Sequence, residues 1–171
     1  AKRLLEQGEQ IYFLVRAKQE REPKTHIQNQ LEQLGLESRF FSQIHIVSGD
    51  TTKDWCGITH EWINQNKNCI KAIWHIAGLV RFNDKKMLFS TNTESVRHVI
   101  ELAKGLRAHI YYVSTAYVAG VSRKRELFED TLKHFDTFRN SYEKSKYEGE
   151  KLLAAQISSG DVTATIFRPS I

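Results

Sequence analysis

The chain has 171 residues, 40% of them hydrophobic and 26% charged, which suits about one globular domain with a core of its own. No apolar run approaches the roughly 18 residues of a membrane span, the charged start "AKRLLEQGEQ" is not a secretory signal, and Cys56 and Cys69 are too far apart for a CxxC redox or metal motif. A reducing cytoplasm and no metal are therefore expected, and the net charge of +5 is spread among 20 acidic residues, its one dense cluster, "SRKRE" at 122–126, reading as a solvated loop rather than a nucleic-acid patch.

In chain order, "IYFLVRA" (11–17), "QIHIVSG" (43–49), "CIKAIWHIAG" (69–78), "HIYYVSTAYV" (109–118) and "VTATIFRPS" (162–170) read as strands. Their near-continuous apolar character predicts a parallel sheet buried on both faces. Helical patterns lie between them at roughly 24–35, 58–67, 84–105 and 139–158. Met87, Leu88, Val96, Val99, Ile100 and Ala103 form the apolar face of the third. Strands alternating with helices predict an α/β, doubly wound parallel sheet with helices on both faces. The stretch 119–138, rich in charge and without a clear period, reads as the one sizeable loop.

In such a sheet, ligands sit outside the carboxyl ends of the strands. Those ends carry Arg16, then Asp50 in "SGD", then "HIAG", then "STAYVAG", then "RPS". The helix after the loop reads "NSYEKSKYEGEKLL" (140–153) and holds two tyrosines, each with a lysine four residues on: Tyr142 with Lys146 and Tyr147 with Lys151. That spacing stacks each pair on one helix face. Tyr147 points about 140° around the helix from Tyr142, which suits packing or solvent exposure.

Taken together, "LVR", "SGD", "HIAG", "NTESV", "VSTAYVAG", "YEKSK" and "FRPS" resemble the extended short-chain dehydrogenase/reductases, Rossmann-fold enzymes that use NAD or NADP. The wording is most similar to the thioester reductase and fatty acyl-CoA reductase branch. The resemblance covers nearly the whole chain, read as a single truncated NAD(P)-binding domain over 1–171. It implies a catalytic set of Thr115, Tyr142, Lys146 and Asn92. Tyr142 is favoured because its pair reads Y-x-x-S-K as in the family, begins a helix, and has a hydroxyl partner upstream. Chemically, hydride delivered to a carbonyl carbon builds negative charge on the oxygen, which a positioned donor stabilises. A lysine one turn away is expected to lower the phenol pKa from about 10. Ser114 reads as a strand-end hydroxyl satisfying backbone. Asn92 matches the family's "N-x-x-G-T" helix, although Ser95 and Val96 replace its glycine and threonine; a plain helix N-terminal asparagine is an equal reading.

The resemblance also implies a cofactor site of Arg16, Asp50, His75, Ala77, Gly78, Tyr142, Lys146, Arg168 and Pro169. An arginine at the end of the strand, with no acid before Glu20, favours NADPH over NADH. Asp50 matches an adenine contact, though Gly49-Asp50 is also a common turn. His75 reads equally as a core histidine. The family's opening strand and G-x-x-G-x-x-G loop have no match here, and neither does the smaller substrate lobe beyond "RPS". The chain therefore reads as an internal piece of a longer reductase, inactive by itself. The expected function is NADPH-dependent reduction of a carrier- or CoA-bound acyl thioester, with carrier or adenylation domains as neighbours, and with no nucleic acid or membrane as partner. The alternatives are a nucleotide-sugar epimerase or dehydratase and a non-catalytic Rossmann module.

Overall fold

A computed structural model describes residues 1–16, 23–80, 84–121, 128–129 and 137–170, which fall into two compact units, Ala1–Asp50 and Thr51–Ile171. The "SRKRE" cluster and most of the loop expected at 119–138 lie outside the described residues.

In the first unit, α1 (Lys2–Glu6) precedes β1 (Ile11–Val15), α2 (Pro23–Gln33) and β2 (Ile44–Ser48). The two strands are parallel and in register from Ile11 opposite Ile44 to Val15 opposite Ser48. Leu5, Leu36, Phe40 and Ile44 are buried together, with Ile11, Phe13, Leu31 and Ile46 packed against them. Alternation puts Tyr12 and His45 on the other face, where their rings stack at 4.6 Å. Gly49 N–H donates to the Val15 carbonyl at 3.0 Å. That bond carries the ladder past the strand ends, so Arg16 and Asp50 emerge side by side.

The second unit holds α3 (His60–Asn66), β3 (Ala72–His75), α4 (Lys85–Phe89), α5 (Ser95–Leu106), β4 (His109–Val113), α6 (Ser141–Ser158) and β5 (Ala164–Phe167). Its sheet runs β3-β4-β5, parallel throughout. The expected parallel α/β fold is present, as a two-stranded and a three-stranded sheet. Among the described residues, the two faces of the second sheet are buried unequally. Along β4, Ile110 and Tyr112 are buried while Tyr111 turns outward and stacks with Trp74 at 4.3 Å. Trp74 and Phe167 on that side keep 47% and 40% of their surface exposed. The apolar run misleads because aromatic rings covering one another give both faces the same hydrophobic character.

Three local devices shape the second unit. The helix expected at 84–105 spans α4 and α5, capped where the Asp84 carboxylate accepts from Met87 N–H at 2.9 Å, with a π-helical turn, Ser90–Glu94, between them. Its buried face includes Leu88, Val96, Val99, Ile100 and Ala103. Trp55 and Cys56 adopt left-handed φ values of 54° and 56°, which costs about 1–2 kcal/mol per residue. Trp55 packs over Gly105, where an added Cβ would lie 3.0 Å from the indole. Finally, Asn140 opens α6 by accepting from Glu143 N–H at 2.9 Å, and Glu143 reaches back to Arg139 N–H at 3.0 Å, a close relative of the capping box.

Candidate active site

Residues Val113, Ser114 and Thr115 follow one another at the carboxyl end of β4, and α6 meets all three. Tyr142, Lys146 and Glu150 recur every four residues, so they share one face of α6. The Thr115 hydroxyl stands within reach of the Tyr142 phenol and acts on it, while its oxygen accepts from Tyr117 N–H at 3.3 Å. The Lys146 ammonium donates to the Val113 carbonyl at 2.7 Å and lies 4.4 Å from the centre of the Tyr112 ring. The Ser114 hydroxyl donates to the Glu150 carboxylate. Ser114 thus binds a buried acid and not the backbone, because Glu150, with none of its surface exposed, needs donors. Tyr147 is buried, with its ring 5.0 Å from Phe138.

Electrostatics differ from the sequence expectation. Burial pushes the Tyr142 phenol up, with the Thr115 hydroxyl pulling down and the Tyr117 phenol adding a small rise. Lys146 is not among these influences; its ammonium is turned to Val113 and Tyr112. Tyr142 is therefore a neutral phenol at neutral pH, a donor and not a phenolate. Burial brings Lys146 down to about 8, with Glu150 pulling up.

Asn92 is 1% exposed and sits inside the π turn, eight residues after Asp84, so the reading of it as a helix N-terminus is corrected. Its amide accepts from Leu79 N–H at 2.8 Å and donates to the Leu79 carbonyl at 3.0 Å and to the Ser145 hydroxyl at 3.0 Å. Thr93 adds a bond to the Ser145 carbonyl at 2.8 Å. The widened turn of the π segment is docked on α6 through these contacts. Asn92 fixes the segment after β3 and the start of α6 at once.

His75, the last residue of β3, is buried with Nε2 at 3.2 Å from the Ser95 hydroxyl and its ring stacked on Tyr112. Burial and the Lys146 charge lower it to about 4. The folded state therefore takes up no proton at His75 until well below the unfolded value of 6.5. Stability from this group is fully present above pH 6.5 and falls as pH drops toward 4, by about 3 kcal/mol over that window. Urea unfolding at pH 7 and pH 4.5 should show a smaller acid loss in His75→Gln than in the unaltered chain.

Beyond His75, Ala77 and Gly78 are exposed. A Cβ added at Gly78 would lie 3.6 Å from the Asn92 side chain, an ordinary contact. Nothing in the protein itself demands glycine there. Arg168 and Pro169, after β5, are held internally: Arg168 Nε donates to Glu150 Oε1 at 2.9 Å and its Nη1 to the Glu129 carbonyl at 3.1 Å, while the Pro169 carbonyl accepts from Ala116 N–H at 3.1 Å. In the first unit, Arg16 and Asp50 pair with each other, Nε at 2.8 Å from Oδ2 and Nη2 at 2.9 Å from Oδ1. Arg16 nonetheless keeps 56% of its side chain exposed. Elsewhere, Asp54, His98 and Glu101 converge, and Arg97 supplies the positive charge of that cluster, bonding Glu101 at 2.9 Å.

Sequence reasoning missed Glu150, Ser145 and Tyr112. The first two were marked by position, Ser145 inside Y-x-x-S-K and Glu150 one further turn along the Tyr142–Lys146 face. Tyr112 carried no signal beyond its strand.

The whole chain, residues 1–171, matches the model of the NAD-binding male sterility protein family. It is 27% identical to the fatty acyl-CoA reductase wat of Drosophila melanogaster over 95% of this chain and 37% of that protein. Among solved structures, the terminal R domain of the myxalamid PKS-NRPS pathway superposes with a TM-score of 0.86 at 28% identity, over 99% of this chain and 44% of that one. A thiolation-reductase di-domain from an archaeal non-ribosomal peptide synthetase follows the same fold, with a TM-score of 0.73 at 18% identity, over 98% and 47%. This chain thus spans less than half the length of these relatives. Parallel strands, a strand-end hydroxyl within reach of the tyrosine of a Y-x-x-S-K helix, and a family match from end to end agree: the chain belongs to the NAD-binding male sterility protein family, on the Rossmann-like fold of the extended short-chain dehydrogenase/reductases.

Proposed function

We propose that this chain is the cofactor-binding and catalytic part of an NADPH-dependent reductase of acyl thioesters, carried on coenzyme A or on a carrier protein. The observation that supports it most is the convergence of Tyr142 and Lys146, on one face of α6, on the end of β4 that carries Thr115, with the Lys146 ammonium seated on the Val113 carbonyl at 2.7 Å and the Thr115 hydroxyl acting on the Tyr142 phenol. A carbonyl oxygen placed between them would take the phenol hydrogen, and the Thr115 hydrogen once that hydroxyl turns from the phenol to the substrate. The similarity to a fatty acyl-CoA reductase and to a PKS-NRPS R domain narrows the carbonyl to that of a thioester.

Each unit by itself carries residues of the kind a dinucleotide needs: in the second, Ala77 and Gly78 leave the end of β3 open, and in the first, the exposed Arg16 guanidinium offers an anion partner. A reduced nicotinamide, when bound, would supply the hydride for the thioester carbonyl carbon. Tyr142 and Thr115 bond the oxygen as charge builds on it, and the neutral phenol hands its proton to the resulting alkoxide, a much stronger base than phenolate. Expulsion of the thiol then leaves an aldehyde. Lys146 brings positive charge to the same strand end, and Asn92 sets the height of α6 against it. Arg16 would hold a 2′-phosphate, and Ala77 and Gly78 would let the backbone come close to a nucleotide.

The reductase that carries this chain should oxidise NADPH with an acyl-CoA or acyl-carrier thioester and not with a UDP-sugar; turnover of the sugar alone would overturn the reading. A charge-assisted bond to a phosphate contributes about 1.5–3 kcal/mol. Arg16→Gln should therefore raise KM for NADPH by about 10–100-fold while leaving that for NADH within a few-fold, as read from initial rates with each cofactor.

A further inference from the structure

Glu150 is a carboxylate with none of its surface exposed, in a site that also buries a lysine. An acid so placed is costly unless donors surround it. Each oxygen has its own: Oε2 takes the Ser114 hydroxyl, and Oε1 takes the Nε and Nη2 hydrogens of Arg168. Ser114 lies beside Val113, whose carbonyl receives the Lys146 ammonium. The acid and the lysine are thus tied to consecutive residues of one strand end while standing one turn apart on α6.

We propose that Glu150 is the positioning residue of this site, its clamped carboxylate serving as the buried counter-charge that keeps Lys146 an ammonium seated on Val113. The inference rests on the reading of Lys146 as part of the active site. The groups acting on the lysine come from every element around it. Among the described residues, the titratable groups that meet it are His75 from β3, Tyr112 from β4 and Glu150 from α6, and Arg168, from the end of β5, bears on it through Glu150. Burial already brings Lys146 down to about 8 with the carboxylate present. Without it, the uncharged amine gains ground at neutral pH, and an amine donates a weaker bond to a carbonyl than an ammonium does.

The test is the titration of Lys146 in this chain, followed by NMR of lysine labelled at Cε, with the fold checked by circular dichroism. Glu150→Gln keeps the shape and removes the charge, so the midpoint should fall by about one unit, a tenfold change in the ammonium-to-amine ratio. Arg168→Gln frees the carboxylate from its own counter-charge, so the midpoint should rise. Glu150→Asp, which keeps the charge, should stay closer to the parent than Glu150→Gln. An unmoved midpoint in either folded Gln variant overturns the proposal. So does loss of fold in both, which would make the cluster a structural ion pair only. Turnover separates this inference from the reading beneath it. If Lys146→Met leaves kcat intact, the catalytic reading fails, while a shifted midpoint in Glu150→Gln still stands for the charge coupling. If both hold, Glu150→Gln should move the alkaline limb of kcat/KM downward with the lysine.

Discussion

Tyr142→Phe should lower kcat of the reductase carrying this chain by about 10²–10⁴-fold, the usual contribution of a positioned acid, with its fold unchanged. Phenylalanine keeps the ring, which is only partly buried, and removes the phenol proton meant for a new alkoxide. The influence of Thr115 on that phenol disappears with it, so Thr115→Val should cost less and the double variant little more than Tyr142→Phe alone. Tyr147→Phe is the control on the same helix: that ring packs against Phe138, and activity should be unaffected. Steady-state rates with one thioester at saturating NADPH decide it. Equal losses at positions 142 and 147 would remove Tyr142 from the chemistry.

Gly149→Ala should destabilise the protein by about 1–3 kcal/mol or more, although alanine is the better helix former by about 1 kcal/mol. The new Cβ would come 2.5 Å from the Asn92 carbonyl oxygen, 3.1 Å from the Tyr112 hydroxyl and 3.1 Å from Val96 Cγ2. Carbonyl oxygens of a packed helix do not swing aside as a side-chain tip does. The helices would part, stretching the bonds from Asn92 and Thr93 to Ser145. Urea denaturation measures the loss. A variant as stable as the parent would mean that α6 and the π turn are further apart than described.

The strands were legible in the sequence because each is a short apolar run between polar stops, and every expected run contains one. Their ends were not. "HIYYVSTAYV" was expected to run to 118, but β4 stops at Val113. Val118 is apolar because it is buried in a short 3-10 turn rather than because it extends the strand. The run "CIKAIWHIAG" shortens to Ala72–His75 in the same way. Pattern could place Thr115, Tyr142 and Lys146 at strand and helix ends, since spacing carries that information. It could not say where the ammonium points. A helix face brings Lys146 near Tyr142, but the open carbonyl of Val113 and the ring of Tyr112 sit closer to its reach. Asn92 was misjudged as a possible helix start because a π turn leaves no mark in hydrophobic periodicity.

That turn has a consequence for which changes of length the chain can tolerate. A π turn is an α-helix with one residue too many, so removing a residue between 90 and 94 would leave an unbroken helix. The wide turn already absorbs that residue, so Leu88 would keep its place in the core and Asp84 its cap on α4. What would be lost is the placement of Asn92 and Thr93 against Ser145. A shortened chain should therefore keep both flanking helices and loosen their dock on α6.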